Sequence, residues 1–171
     1  PPEEHIAPRR GPTGILRDHS RGRGTSHQPM KINPSIGRLR ASIASVFIGN
    51  DAAIDRVICC MLARGHILIE DVPGVGKTIL AASIARSVQC SFSRVQLTPD
   101  MLPADLLGVT IYNRDTGEFV FRRGPIFANF ILADEINRTT PRTQTALLEA
   151  MSEARVSIDG TQHTLEPPFM V

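Results

Sequence analysis

No stretch of this 171-residue chain approaches the eighteen or so consecutive apolar residues that a membrane-spanning helix requires. Its first residues lack the charged, apolar and small-residue sections of a secretory signal, so the sequence reads as cytoplasmic. Cysteine is scarce. Cys59, Cys60 and Cys90 are odd in number, two are adjacent, and none has the paired spacing of a zinc site, which leaves buried reduced thiols as the reading. Net charge is nearly absent from most of the chain: the formal +2 divides into six Lys/Arg against three Asp/Glu in residues 1–35 and 13 against 14 in the rest. A basic face over the whole molecule, the footprint of nucleic-acid binding, is therefore missing. A nucleic-acid or membrane contact by Arg9, Arg10, Arg17, Arg21 and Arg23 stays open beside the simpler reading of a solvated linker.

Residues 1–35 are rich in Pro, Gly and Arg and show no sustained apolar period, so they cannot bury enough surface to offset the entropy of ordering and are expected to be disordered. From residue 36 to residue 171 the chain has the pattern of one domain, and the 42% apolar content of the sequence suits a globular class. Ile36, Leu39, Ile43 and Phe47 recur at helical spacing. After Gly49-Asn50 a second helix carries Ile54, Val57, Ile58, Met61 and Leu62. The run His66 to Glu70 reads as a short strand buried on both faces, followed by a helix from about Lys77 to Val88 and a strand near Phe92 to Leu97, a βαβ unit. VTIYNRDTGEFVF reads as a hairpin turning at Asp115-Thr116-Gly117, and RVSIDGTQHTL as one turning at Asp159-Gly160, a dipeptide suited to a type I′ turn. Between them Thr140 and Pro141 mark the N-cap and first position of a helix whose apolar face is Ala146, Leu147, Ala150 and Met151.

The stretch EDVPGVGKTIL, residues 70–80, joins the strand at His66 to the helix at Lys77. A strand that ends in a glycine-bearing loop and opens a helix aims several backbone N–H groups and the positive end of the helix dipole at one point, which suits a phosphate. Gly74 and Gly76 let the backbone approach the oxygens, with Pro73, Val75 and Ile79 completing the loop and its exit. Lys77 can reach the β- and γ-phosphates of ATP, and the Thr78 hydroxyl can coordinate the accompanying Mg2+. The strict Walker A pattern has glycine where this chain has Asp71. The plainer alternative is a helix that merely starts with Lys-Thr.

About 55 residues further on, FILADE supplies a partner: Phe130 to Ala133 as a buried strand ending in two carboxylates, a Walker B pattern. Asp134 would hold Mg2+ through a water, and Glu135 would polarise the water that attacks the γ-phosphate, because phosphoryl transfer depends on positioning and charge stabilisation. An apolar run ending in Asp-Glu is a common strand terminus by itself. The two motifs in this order are far more specific.

GHILIEDVPGVGKT, SFSRVQLTPDMLPADLLG, TGEFVFRRGPIFANFILADEINR and TPRTQTALLEAMSEARVSIDG together resemble the MoxR-type AAA+ ATPases over residues 36–171, a family in which Asp71 is normal. The resemblance implies a P-loop NTPase fold, a three-layer αβα core around a parallel sheet of order 5-1-4-3-2, with hairpin inserts at 109–121 and 155–165. Either hairpin could face a ring pore or simply extend the sheet. The resemblance further implies a ring of identical subunits, a chaperone-like role in remodelling or maturing other proteins, and a partner with a von Willebrand factor A domain. VFIGN resembles the family segment that contacts adenine, which makes Ile48 and Gly49 base-pocket candidates, with Ile48 as plain core the alternative. Asn137 and Arg138 match the family's DEINR signature and stay outside the catalytic set of Lys77 and Glu135.

The sequence lacks an initiator methionine and stops at PPFMV, and it reads as incomplete: a strand starting at Phe169 would lie between the two motif-bearing strands, with sensor, arginine finger and lid beyond Val171. On that reading the isolated chain is at best a weak nucleotide binder. Three functions remain open: an ATP-hydrolysing remodeller, a nucleotide-gated binding module with slow hydrolysis, and a nucleic-acid-linked motor, the last disfavoured by the charge distribution.

Overall fold

A computed structural model describes residues 33–48, 50–70 and 76–171. Helix α1 (Pro34–Ala44) begins where Asn33 accepts a hydrogen bond from Ser35 N at 2.9 Å, with Pro34 in the first turn. This start lies two residues ahead of the boundary expected at Ile36, because a cap and a proline carry no apolar period. Helix α2 (Asp51–Leu62) is opened by Asn50, whose side chain accepts from Ala53 N at 3.0 Å. Arg40 ties the two helices together through Asp51 at 2.9 Å and Asp55 at 2.7 Å. The remaining elements are α3 (Lys77–Ser87), β1 (Phe92–Gln96), α4 (Pro103–Leu107), β2 (Gly108–Asn113), β3 (Glu118–Arg123), β4 (Phe130–Asp134), α5 (Pro141–Glu153), β5 (Arg155–Ile158) and β6 (Thr161–Thr164). No helix among the described residues is long and apolar enough to cross a membrane.

β1 and β4 pair in parallel, with Phe92 opposite Phe130 and Gln96 opposite Asp134. Alternation along each strand then sorts their side chains onto two faces. Phe92 and Phe130 join the core of Ile43, Ile54, Leu80 and Ile84 from the first three helices, whereas Val95 and Ile131 join Leu106, Leu147, Ala150 and Val156 on the other side. The sheet thus lies between helices on both faces, the αβα arrangement expected.

His66 to Glu70 departs from the expected strand. Among the described residues it belongs to no ladder, and Leu68 within it is 72% exposed. Its one backbone bond in the described set runs from Ile67 N–H to Val171 O at 3.0 Å. Met170 in turn bridges Phe130 in parallel, donating to Asn129 O at 2.8 Å and accepting from Ile131 N at 2.9 Å. Residues 169–171 therefore lie between the 66–70 run and β4, the position expected for a strand starting at Phe169. An apolar run becomes a strand only where a neighbour supplies donors and acceptors, and among the described residues the backbone of this neighbour pairs with the backbone of Ile67 alone. His66 adds a side-chain pin: Val171 N–H donates to Nδ1 at 3.0 Å, which leaves Nε2 to donate to Met151 O at 2.9 Å.

Both hairpins form as the turn residues require, but each is its own two-stranded sheet and neither extends the β1–β4 ladder. At the β5–β6 turn Asp159 and Gly160 have φ of 50° and 77°, the positive pair that a type I′ turn needs. The hairpins lean on each other, with Thr110 Oγ1 donating to Asp159 Oδ2 at 2.7 Å and Phe121 stacked on His163 at 4.4 Å between ring centroids. The β2–β3 pair is closed at its base by a glycine-to-glycine approach. A Cβ on Gly124 would stand 2.3 Å from Leu106 O and 2.5 Å from Gly108 N, both backbone atoms that cannot yield. Gly124→Ala should therefore cost about 2–3 kcal/mol of stability, while Gly37→Ala, in α1 with open space around it, should be neutral or stabilising. Chemical denaturation midpoints of the two variants check this, and equal midpoints would contradict the close approach.

Candidate active site

Helix α3 is entered through Gly76, whose φ of 86° and ψ of 21° lie in the left-handed region that glycine adopts without strain. Gly76 has no side chain with which to cap the helix, whereas Asn33, Asn50 and Thr140 cap α1, α2 and α5. Lys77 and Thr78 occupy the first two helical positions and are half-buried; Ile79 follows, 52% exposed. The preceding loop candidates Pro73, Gly74 and Val75 lie outside the described residues.

The opposing wall is the end of β4. Asp134 shares strand parity with Phe130, so the ladder turns it toward the face that α3 covers. Glu135 follows in a left-handed conformation, φ 60° and ψ 42°, and leads into a 3₁₀ turn over Ile136–Arg138. A non-glycine residue held in this region stores on the order of 1–2 kcal/mol of strain, and such strain concentrates at sites where a side chain must be aimed. One backbone bond, Arg138 N to Glu135 O at 2.9 Å, holds the turn.

These two walls enclose a cavity of about 880 Å³ lined by Lys77, Thr78, Ile79, Asp134 and Glu135, with Ile67 and Ile69 of the 66–70 run beside them. Each acid at its edge is ion-paired: Asp134 Oδ2 with Arg94 Nη2 at 2.8 Å, and Glu135 Oε2 with Arg138 Nε at 3.1 Å. Arg94 also lines the cavity; it lies in neither nucleotide motif, and the β1–β4 register brings it there. Ile48 is not brought to the cavity and is not core either, being 88% exposed, while Gly49 lies outside the described residues. The cause is the end of α1 at Ala44, after which the turn directs Phe47 inward instead: it packs on the α1–α3 core, and its Cε2 is 3.4 Å from where a Cβ on Gly76 would stand.

The donor set suits a magnesium nucleotide. A cation, a hydroxyl and two carboxylates face one another across the cavity, and hard oxygen donors are what Mg2+ selects. Among the described residues no three His, Cys, Asp or Glu side chains cluster as an all-protein cage, and Mg2+ is ordinarily held by one or two side chains with phosphates and water. Thr78 and Asp134 would hold the ion, and Lys77 would meet the phosphates.

Comparison with known proteins bears on the family. Residues 66–171 match the ATPase family associated with various cellular activities (AAA). The chain is 44% identical to Chaperone MoxR1 of Mycobacterium tuberculosis over 129 residues, 75% of this chain and 34% of that protein. It is 49% identical to the protein YeaC of Bacillus subtilis over 140 residues, 82% of this chain and 44% of that one, and 35% identical to Protein MoxR of Methylorubrum extorquens over 125 residues, 70% and 36%. A crystal structure of a protein from Cytophaga hutchinsonii superposes with a TM-score of 0.72 at 42% identity, covering 81% of this chain and 42% of that one. The chain spans less than half the length of each of these relatives.

Proposed function

The chain belongs to the MoxR-type AAA+ ATPases, and on that premise we propose that it binds Mg-ATP between α3 and the end of β4 and takes part in hydrolysing it. The observation that carries this reading is the convergence of Lys77, Thr78, Asp134 and Glu135 on one cavity, although 56 residues separate Thr78 from Asp134. Lys77 places a point charge against the β- and γ-phosphates at the N-terminal end of α3, where the helix dipole is positive. Thr78 and Asp134 orient the metal, whose role when bound is to neutralise phosphate charge. Glu135, which lines the same cavity, accepts a proton from the attacking water.

The same reading includes a ring of identical subunits that remodels client proteins, with a von Willebrand factor A domain protein as partner. What supports a polypeptide contact in this chain is the β2–β3 hairpin, where Tyr112 and Phe119 pack edge to face at 5.3 Å and remain 55% and 74% exposed. A second reading, a nucleotide-gated assembly module with slow hydrolysis, is favoured by the pairing of Glu135 with Arg138, which engages the proposed base.

Thermal unfolding with and without Mg-ATP tests nucleotide binding. At about a hundred times the dissociation constant the ligand should add ~2.7 kcal/mol, raising the transition temperature by several degrees. An unchanged transition at millimolar Mg-ATP would refute the site.

A further inference from the structure

Arg94 enters the cavity from a strand that neither nucleotide motif includes. On β1 it stands opposite Leu132, and Asp134 stands opposite Gln96, so the two are diagonal neighbours on the same face of the ladder. Leu97 N–H donates to Asp134 O at 2.9 Å, which fixes the acid's backbone and leaves its side chain to be set by other contacts. The guanidinium does this: Arg94 Nη2 donates to Asp134 Oδ2 at 2.8 Å, a pairing through one carboxylate oxygen that leaves the second out of the ion pair. The Asp134 side chain is 32% exposed and the Arg94 side chain 47% exposed, and both line the cavity shared with Lys77 and Thr78.

We propose that Arg94 is a positioning residue for the metal site: it locks the Asp134 carboxylate in the orientation that presents its free oxygen to a divalent cation bound with nucleotide. This rests on the proposed Mg-ATP reading. A carboxylate that acts on a metal needs its torsion fixed before the ion arrives, and an outer hydrogen-bond donor supplies that fixing. Arginine suits the task because its charge does not titrate and its planar fork loses little freedom on pairing. The ion pair is half-exposed, so its removal contributes little to folding, and a loss of metal affinity is separable from a loss of structure.

The experiment titrates Mn2+, a hard-oxygen stand-in for Mg2+, into the full chain with saturating ADP and follows free Mn2+ by its electron paramagnetic resonance signal; ADP affinity is measured separately in EDTA. Arg94→Ala should weaken Mn2+ binding by roughly ten- to a hundredfold. Its ADP affinity in EDTA should stay within about twofold of the wild type, and Arg94→Lys should recover part of the metal affinity. Three results would overturn the proposal: Mn2+ binding unchanged in Arg94→Ala, Mn2+ binding strengthened because the guanidinium only opposes the ion, or ADP affinity in EDTA falling in parallel because Arg94 contacts phosphate itself. If the wild-type chain binds ADP without any effect of Mn2+, the metal site itself is wrong and Arg94 falls with it. If it binds no nucleotide, the Mg-ATP reading has failed first.

Discussion

Lys77→Ala is expected to lower the affinity for ATP by about a hundredfold while leaving the fold intact. A charge-assisted hydrogen bond is worth up to about 3 kcal/mol, and every 1.4 kcal/mol is a factor of ten. The fold should survive because the substitution falls at the first position of α3, where alanine is the best helix former, and it leaves the buried residues that pack this helix, Leu80, Ile84 and Ala85, in place. Titration with a fluorescent ATP analogue measures the affinity, and circular dichroism melting of the variant controls for folding. An affinity within threefold of the wild type would remove Lys77 from the site and leave the N-terminal end of α3 to meet phosphate.

Glu135→Gln is expected to separate binding from chemistry. Glutamine keeps the shape and can occupy the same αL position, but it cannot accept the proton of the attacking water, so phosphate release should slow by roughly a hundred- to ten-thousandfold. Nucleotide affinity should hold, because Glu135 meets the water and not the phosphates. The lost ion pair with Arg138 adds little, since the Glu135 and Arg138 side chains are 41% and 63% exposed. Single-turnover phosphate release beside equilibrium nucleotide binding, in the complete protein, distinguishes the two effects. Normal turnover in the variant would transfer the role of base to another group. A wild type that hydrolyses slowly and speeds up in Arg138→Ala would favour the gated reading over constitutive hydrolysis.

Local chemistry was legible wherever a residue acts on its sequence neighbours. Thr140 accepts from Thr143 N as an N-cap, and Pro141 opens α5, as their types predict. Asp159-Gly160 takes the positive φ pair, and the four residues from Arg114 to Gly117 close the other hairpin. FILAD forms β4 because its apolar run is matched by a real neighbour, β1. HILIE looks the same to a periodicity argument, yet among the described residues it joins no ladder, and the one backbone-to-backbone bond it makes there is from Ile67 to Val171. Ile48 as plain core is corrected for a related reason: helix spacing does not say where a helix stops, and once α1 ends at Ala44 it is Phe47 that turns to the core.

Beyond the family and the αβα class, which came by resemblance, the sequence by itself determined most of the helices and strands and the identities of the four side chains that line the cavity. These follow from short-range rules: strand and helix periods, caps, turn residues and the fixed spacing of a loop that opens a helix. The tertiary structure alone decided that the two acids carry arginine partners and that the 66–70 run forms no ladder among the described residues. Strand register is the physical reason. It is set by packing on both faces of the sheet at once, and it places Arg94 beside Asp134 across 40 residues of chain that no local pattern spans.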